Sequence, residues 1–197
     1  MRDWRNDLRE AVPHVRFDEP LARHTTFKIG GPADALVDAQ NAGEVLSALR
    51  VAKGAGVPLL VLGWGSNLLV RDRGVRGIVL RLSGTFDEIA FLGDARVRCG
   101  ASVRVPQLVV ACADHGLAGL EPIVGVPGTV GGALAMNAGT RDGEIGTAVL
   151  EIEAADPESL TIRKNHGDGA SFRLPRRPAE KSHRVVGIAS VEARGQR

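Results

Sequence analysis

Between residues 35 and 62 the apolar positions change their period twice. Ala35, Leu36 and Val37 are consecutive and predict a short strand. Asn41 stands three residues ahead of Glu44, the spacing of a capping box. Val45, Leu46, Leu49 and Ala52 then recur at helical spacing, with Gly54 as the expected stop. Val57 to Leu62 is a continuous apolar run, as a strand buried on both faces would show. Strand, helix and strand in that order predict a parallel α/β unit.

On either side the pattern is less regular. Residues 1–23 are polar, contain Pro13 and Pro20, and predict an arm or a short helix. His24 to Ile29 is a β-prone run closed by Gly30-Gly31-Pro32. Val75 to Leu82 predicts another strand, and Gly84 to Asp94 reads as a boundary region. Arg96 to Cys99 alternates polar and apolar residues like a half-buried strand. Val105, Leu108, Val109 and Cys112 predict a second helix, with Pro106 in its first turn and Gly116 as its stop. Leu150, Ile152 and Ala154 alternate with Glu151 and Glu153, which predicts a strand with one wet face. Residues 156–183 are polar, basic and broken by Gly and Pro, and Arg184 to Ala189 predicts a last strand.

Composition narrows the class. The 197 residues are 44% hydrophobic and 24% charged, enough for one large globular domain or two small ones. Aromatic residues make up only 4% and tyrosine is absent, so core volume falls to Val, Leu, Ile and Ala. A net charge of +2 is too small to argue for a nucleic-acid partner. No apolar run reaches membrane-spanning length, and the charged start (Arg2, Asp3, Arg5, Asp7) has no secretory signal pattern. Cys99 and Cys112 lack metal-ligand spacing and read as reduced, packed thiols. A cytoplasmic protein without a metal is the expectation.

Two stretches carry candidate chemistry. Gly63-Trp64-Gly65-Ser66-Asn67-Leu68-Leu69-Val70 follows the expected buried strand, where α/β proteins commonly hold ligands. It lacks the third glycine of a dinucleotide fingerprint and the Lys-Ser/Thr of a P-loop. Gly119 to Glu144 crowds Gly125, Gly128, Gly131, Gly132 and Gly139 around Pro127. Glycine at this density suits backbone that lies tight against an anion or a planar ring. Taken singly, either stretch is equally well an ordinary turn. Trp64 is expected to point outward, His115 to cap a helix end, and Glu121 and Glu144 to order the second loop.

Four blocks in one order resemble a known enzyme family. They are His24 to Ala33, Leu62 to Val70, Gly119 to Glu144, and Ser171-Phe172-Arg173. Gly-Val-Pro-Gly-Thr-Val-Gly-Gly followed by Met-Asn-Ala-Gly is the most specific of them. Together they resemble the UDP-N-acetylenolpyruvoylglucosamine reductases, also called UDP-N-acetylmuramate dehydrogenases, over about residues 24–193. The resemblance implies an α+β, two-subdomain FAD-binding fold of the vanillyl-alcohol-oxidase type. Residues 24–84 would form one subdomain and 85–197 the other, with 1–23 as an arm.

The resemblance further implies non-covalent FAD and NADPH as reductant, with UDP-N-acetylglucosamine enolpyruvate reduced to UDP-N-acetylmuramate for peptidoglycan synthesis. Gly63, Gly65, Ser66 and Asn67 would hold the pyrophosphate. Gly125, Pro127, Gly128, Thr129, Gly131 and Gly132 would run beside pyrophosphate and flavin, with Asn137, Ala138 and Gly139 completing the cradle. In the family, an Arg after an aromatic residue takes the charge that develops on the enolpyruvyl carboxylate. Arg173 after Phe172 matches it, although Phe172 stands where Tyr is usual, and Arg176 and Arg177 remain alternatives of register. The family's C-terminal substrate domain, with its serine proton donor, has no counterpart expected within these residues. Two other readings stay open: a flavin-binding module without this turnover, and another FAD-dependent oxidoreductase of the same fold.

Overall fold

In the computed structural model, which describes residues 3–166, the element order begins with α1 (Trp4–Ala11), β1 (Val15–Pro20), β2 (Pro32–Ala39), α2 (Ala42–Ala55), β3 (Leu59–Val61) and β4 (Val75–Leu82). These strands form one sheet in the order β1-β2-β4-β3. β4 is parallel to both β2 and β3, so the expected parallel α/β unit is present, with β4 inserted between its two strands. Alternation along the strands sends Ala35, Val37, Ile78 and Leu80 to the face covered by α1 and α2. Leu36 and Val79 face the other side, where Leu21, Leu62 and Val70 from connecting segments cover them.

α2 starts as its sequence requires. Asn41 accepts a hydrogen bond from the Glu44 amide at 3.1 Å, and the Glu44 carboxylate accepts from the Gln40 amide at 2.9 Å. The helix runs one residue past the expected stop at Gly54 and is capped by Gly56 in the left-handed region, φ 64°.

The second part of the chain contains β5 (Ile89–Gly93), β6 (Arg96–Cys99), α3 (Val105–Asp114), α4 (Val130–Met136), β7 (Gly139–Thr140), β8 (Gly143–Glu144), β9 (Glu151–Asp156) and β10 (Thr161–His166). Its core gathers Val97, Cys99, Val105, Leu108, Cys112, Val130, Leu134, Ile145 and Ile152. β9 joins the two cores, since Ile152 packs in this one and Ala155 in the one beneath α1 and α2. Cys99 and Cys112 are both buried in this core, as expected. His115 caps the end of α3, its Nδ1–H donating to the Ala111 carbonyl oxygen at 2.9 Å, and its ring stacks on Phe91 at 3.6 Å.

Several expectations need correction. Residues 1–23 hold the short helix that is one of the two expectations, α1 with Leu8 buried, but they also supply an unexpected strand: β1 pairs antiparallel with β2 from Val15↔Val37 to Pro20↔Pro32. His24 to Ile29 is not a strand. The Thr26 amide donates to Gly65 O at 3.1 Å and Thr25 Oγ1 donates to Ile29 O at 2.9 Å, so local turns outcompete a ladder. The apolar run after α2 pairs only over Leu59–Val61, and Leu60 and Val61 are half-buried because that edge of the sheet is open to a cavity. The boundary region holds a one-turn helix, Gly84–Asp87, and strand β5. Residues 161–166, expected as polar irregular chain, pair with β9. The last expected strand lies outside the described residues, as does Arg173.

Candidate functional site

The open edge of β3 and the N-terminal end of α4 enclose a cavity of about 870 Å³, a size suited to a cofactor. Its walls come from the segment after β1, from β3 and the loop that follows it, from the end of β4 and the turn after it, and from parts of the chain between Ala101 and Ala135. Gly63, Thr129, Gly131 and Gly132 line it.

The two glycine-rich stretches touch each other. A Cβ added to Gly63 would fall 2.6 Å from Thr129 Oγ1, so any side chain there would have to displace the hydroxyl that caps α4. Three residues on, Ser66 Oγ donates to the Pro127 carbonyl oxygen at 3.1 Å. Gly65 lies under the backbone of His24, where any Cβ would meet the His24 carbonyl oxygen at 2.2 Å, and its φ is 68°. Asn67 is exposed at the tip of this loop.

The loop itself pairs with no strand and makes one hydrogen-bonded turn at Ser66–Asn67. Backbone donors outside regular pairing in such a loop are available to water or an anion. The second stretch spends its donors differently. The Val130 amide donates to Val103 O and the Gly131 amide to Ala101 O, both at 2.8 Å, while Thr129 Oγ1 caps Gly132. Gly125 is exposed, and Gly128 is buried with Ser66 Oγ at van der Waals range of its missing Cβ.

Asn137, Ala138 and Gly139 stand apart from the cavity wall. Asn137 ends α4 in the left-handed conformation, donates to the Glu144 carboxylate, and accepts from the Gly146 amide at 3.2 Å. Gly139 belongs to β7, where Gly143 O leaves no room for a side chain. Glu121 orders the start of the same segment by accepting from the Gly119 amide at 2.8 Å.

Charge in the cavity is contributed by residues that sequence reasoning did not single out: Arg23, Lys28, Arg81 and Arg104, against the one acid, Asp87, among the described lining residues. The Arg104 guanidinium lies 4.6 Å over the Trp64 ring. Ser102 Oγ is buried at the wall and has no partner among the described residues. His24 is on the wall as well, with one ring nitrogen 2.9 Å from Glu19 Oε1 and the other 2.6 Å from Arg81 Nη1. Its hydrogen bond holds the Glu19 carboxyl below the usual carboxylate range, against the opposing effect of burial. These cations come from strand ends and turns far apart in the chain, so no local motif announces them.

Glycine-rich backbone, a basic rim and an orphaned hydroxyl around one cavity fit a long anionic dinucleotide. Among the described residues no group of three metal-ligating side chains occurs, and no helix is long and apolar enough to cross a membrane.

Comparison with known proteins decides the family. The FAD binding domain family matches residues 33–163. The chain belongs to this FAD-binding family. Within the family it is similar to UDP-N-acetylenolpyruvoylglucosamine reductases. One from Desulfosudis oleivorans is 44% identical over 78% of this chain and 50% of its own length. One from Geobacter metallireducens is 40% identical over 91% of this chain and 65% of its own. The chain thus spans about half to two thirds of these relatives. The crystal structure of the Thermus caldophilus reductase superposes with a TM-score of 0.68 at 34% identity, covering 92% of this chain and 62% of that one. A 6-hydroxy-D-nicotine oxidase from Arthrobacter nicotinovorans, at 20% identity and a TM-score of 0.64 over 92% of this chain and 41% of its own, shares the fold. The family's fold is therefore the α+β, two-subdomain FAD-binding fold of the vanillyl-alcohol-oxidase type expected from the sequence.

Proposed function

We propose that the chain binds FAD non-covalently in the cavity between β3 and α4, as the FAD-binding part of a UDP-N-acetylenolpyruvoylglucosamine reductase. The observation that carries this reading is the meeting of the two glycine-rich stretches at one cavity, where Gly63 lies against Thr129 and both line the wall with Gly131, Gly132 and a set of basic side chains. Bound FAD would supply hydride transfer. The protein's share is to satisfy the pyrophosphate with amides from Gly63 to Asn67 and to offset its charge with the basic rim. Thr129, Gly131 and Gly132 would present a wall nearly free of side chains to the flat ring. Both nitrogens of His24 are already engaged, which supports a cofactor held without a covalent link.

By this reading NADPH is the reductant and UDP-N-acetylglucosamine enolpyruvate the substrate, in a cytoplasmic enzyme of peptidoglycan precursor synthesis. The division at residues 84 and 85 and the role of Arg173 in stabilising carboxylate charge belong to the same proposal. An absorbance spectrum of the purified protein with FAD tests it, followed by anaerobic NADPH and then the enolpyruvyl sugar. A flavin spectrum bleached by NADPH and restored by the sugar is the expected result. Bound flavin that the sugar does not reoxidise would favour the module without turnover. No flavin uptake would overturn both.

A further inference from the structure

His24 sits on the cavity wall with one-tenth of its side chain exposed, between Glu19 from β1 and Arg81 from β4. A guanidinium can only donate, so the 2.6 Å contact from Arg81 Nη1 requires a bare lone pair on His24 Nδ1. The ring proton then belongs to Nε2, which donates to Glu19 Oε1 at 2.9 Å. Arg81 Nε lies 3.5 Å from Asp38, which also pairs with Arg16. Arg23 approaches Glu19 at 3.9 Å from its exposed side. The guanidinium is thereby held from two directions while Arg81 forms part of the cavity wall.

We infer that His24 is a positioning residue: Glu19 fixes its Nε2–H tautomer, and the lone pair on Nδ1 aims Arg81 at the negatively charged part of the bound cofactor. This rests on the FAD reading above. Fixing a guanidinium in advance reduces the freedom it must lose when it meets an anion. Without the acceptor on His24, Arg81 would keep only its contact with Asp38 on the neighbouring strand.

Two substitutions separate the halves of the imidazole. His24→Asn keeps an acceptor near the position of Nδ1, and His24→Gln keeps a donor near that of Nε2. FAD titrations followed by flavin fluorescence should give His24→Asn within about three-fold of wild type and His24→Gln about ten-fold weaker. Arg81→Gln should match His24→Gln, and the double variant should be no weaker than either. Should His24→Gln fail to fold, nitrogen NMR of histidine-labelled wild type reads the tautomer directly. A protonated Nε2 with a bare Nδ1 supports the inference, and a protonated Nδ1 at neutral pH overturns it. Equal affinities for His24→Asn and His24→Gln overturn the positioning role while FAD binding stands. Failure of the wild type to take up FAD overturns the cofactor reading and, with it, the target of Arg81.

Discussion

Gly63→Ala tests whether the two glycine-rich stretches form one site. The new Cβ would fall 2.6 Å from Thr129 Oγ1 but 3.7 Å from Thr129 Cβ and Cγ2, so only the hydroxyl must move. That hydroxyl caps α4 by accepting from the Gly132 amide at 3.3 Å. Losing an N-cap costs about 1 kcal/mol, and the long bond argues for the lower part of the range. A side chain pushed off its rotamer adds about 0.5–1.5 kcal/mol. Gly63 is not among the positive-φ residues, so replacing it with Ala recovers about 0.4–1 kcal/mol through the unfolded chain. The net expectation is a loss of about 1 kcal/mol, or roughly 2–4 °C in melting temperature for a domain of this size. Thr129→Ala should cost a similar amount by removing the cap outright. The double variant has neither clash nor cap to lose, so it should be no less stable than Thr129→Ala, a coupling of about 1–2 kcal/mol. Urea unfolding of the four proteins, followed by tryptophan fluorescence, measures it. Additivity of the two single losses would refute the contact between Gly63 and Thr129, and with it the shared cavity wall.

Gly128 has φ 140° and no room towards Ser66 Oγ beyond ordinary contact, so Gly128→Val should strain the loop by about 1–3 kcal/mol and weaken FAD binding more than ten-fold; a variant that keeps wild-type affinity would show that this loop does not meet the cofactor. Burial pushes the Cys112 thiol up, so alkylation of native protein near neutral pH should be slow and should accelerate on unfolding in urea; rapid native labelling would contradict the buried core of α3. The Glu19 carboxyl is held low chiefly by the hydrogen bond from His24. A lowered folded value adds stability above the ordinary carboxylate range and loses it as pH falls through that range towards the folded value. Glu19→Gln should therefore be less stable near neutrality and show a flatter acid limb in pH-dependent melting; an unchanged limb would mean the pair contributes nothing.

Local features carried much of this protein in readable form. The capping residues Asn41 and Glu44, the helical spacing of Val45, Leu49 and Ala52, and Pro106 in the first turn of α3 all act within a few residues. The glycine density around Pro127 likewise marks a close approach, because only close approach justifies so much lost backbone entropy. Four such blocks in order sufficed for the family resemblance and for its fold.

What the chain could not announce locally depends on neighbours distant in sequence. The run His24–Ile29 has strand propensity, yet its hydrogen bonds go to Gly65 and to its own turn, because the segment lies across the loop after β3. Edge strand β1 reads as polar chain because only alternate residues are half-buried and its partner is β2, from 12 to 22 residues away. α4 was hidden by Gly131 and Gly132, which lower helix propensity but let the helix pack on Ala101. The basic rim exists only once Arg23, Lys28, Arg81 and Arg104 meet around one cavity. Sequence alone determined the helix caps, the turns and the glycine-rich stretches, since these follow from backbone chemistry over a few residues. Which loops meet, which cations share the cavity and which tautomer His24 holds were decided by tertiary packing, because each depends on atoms brought together from separate elements.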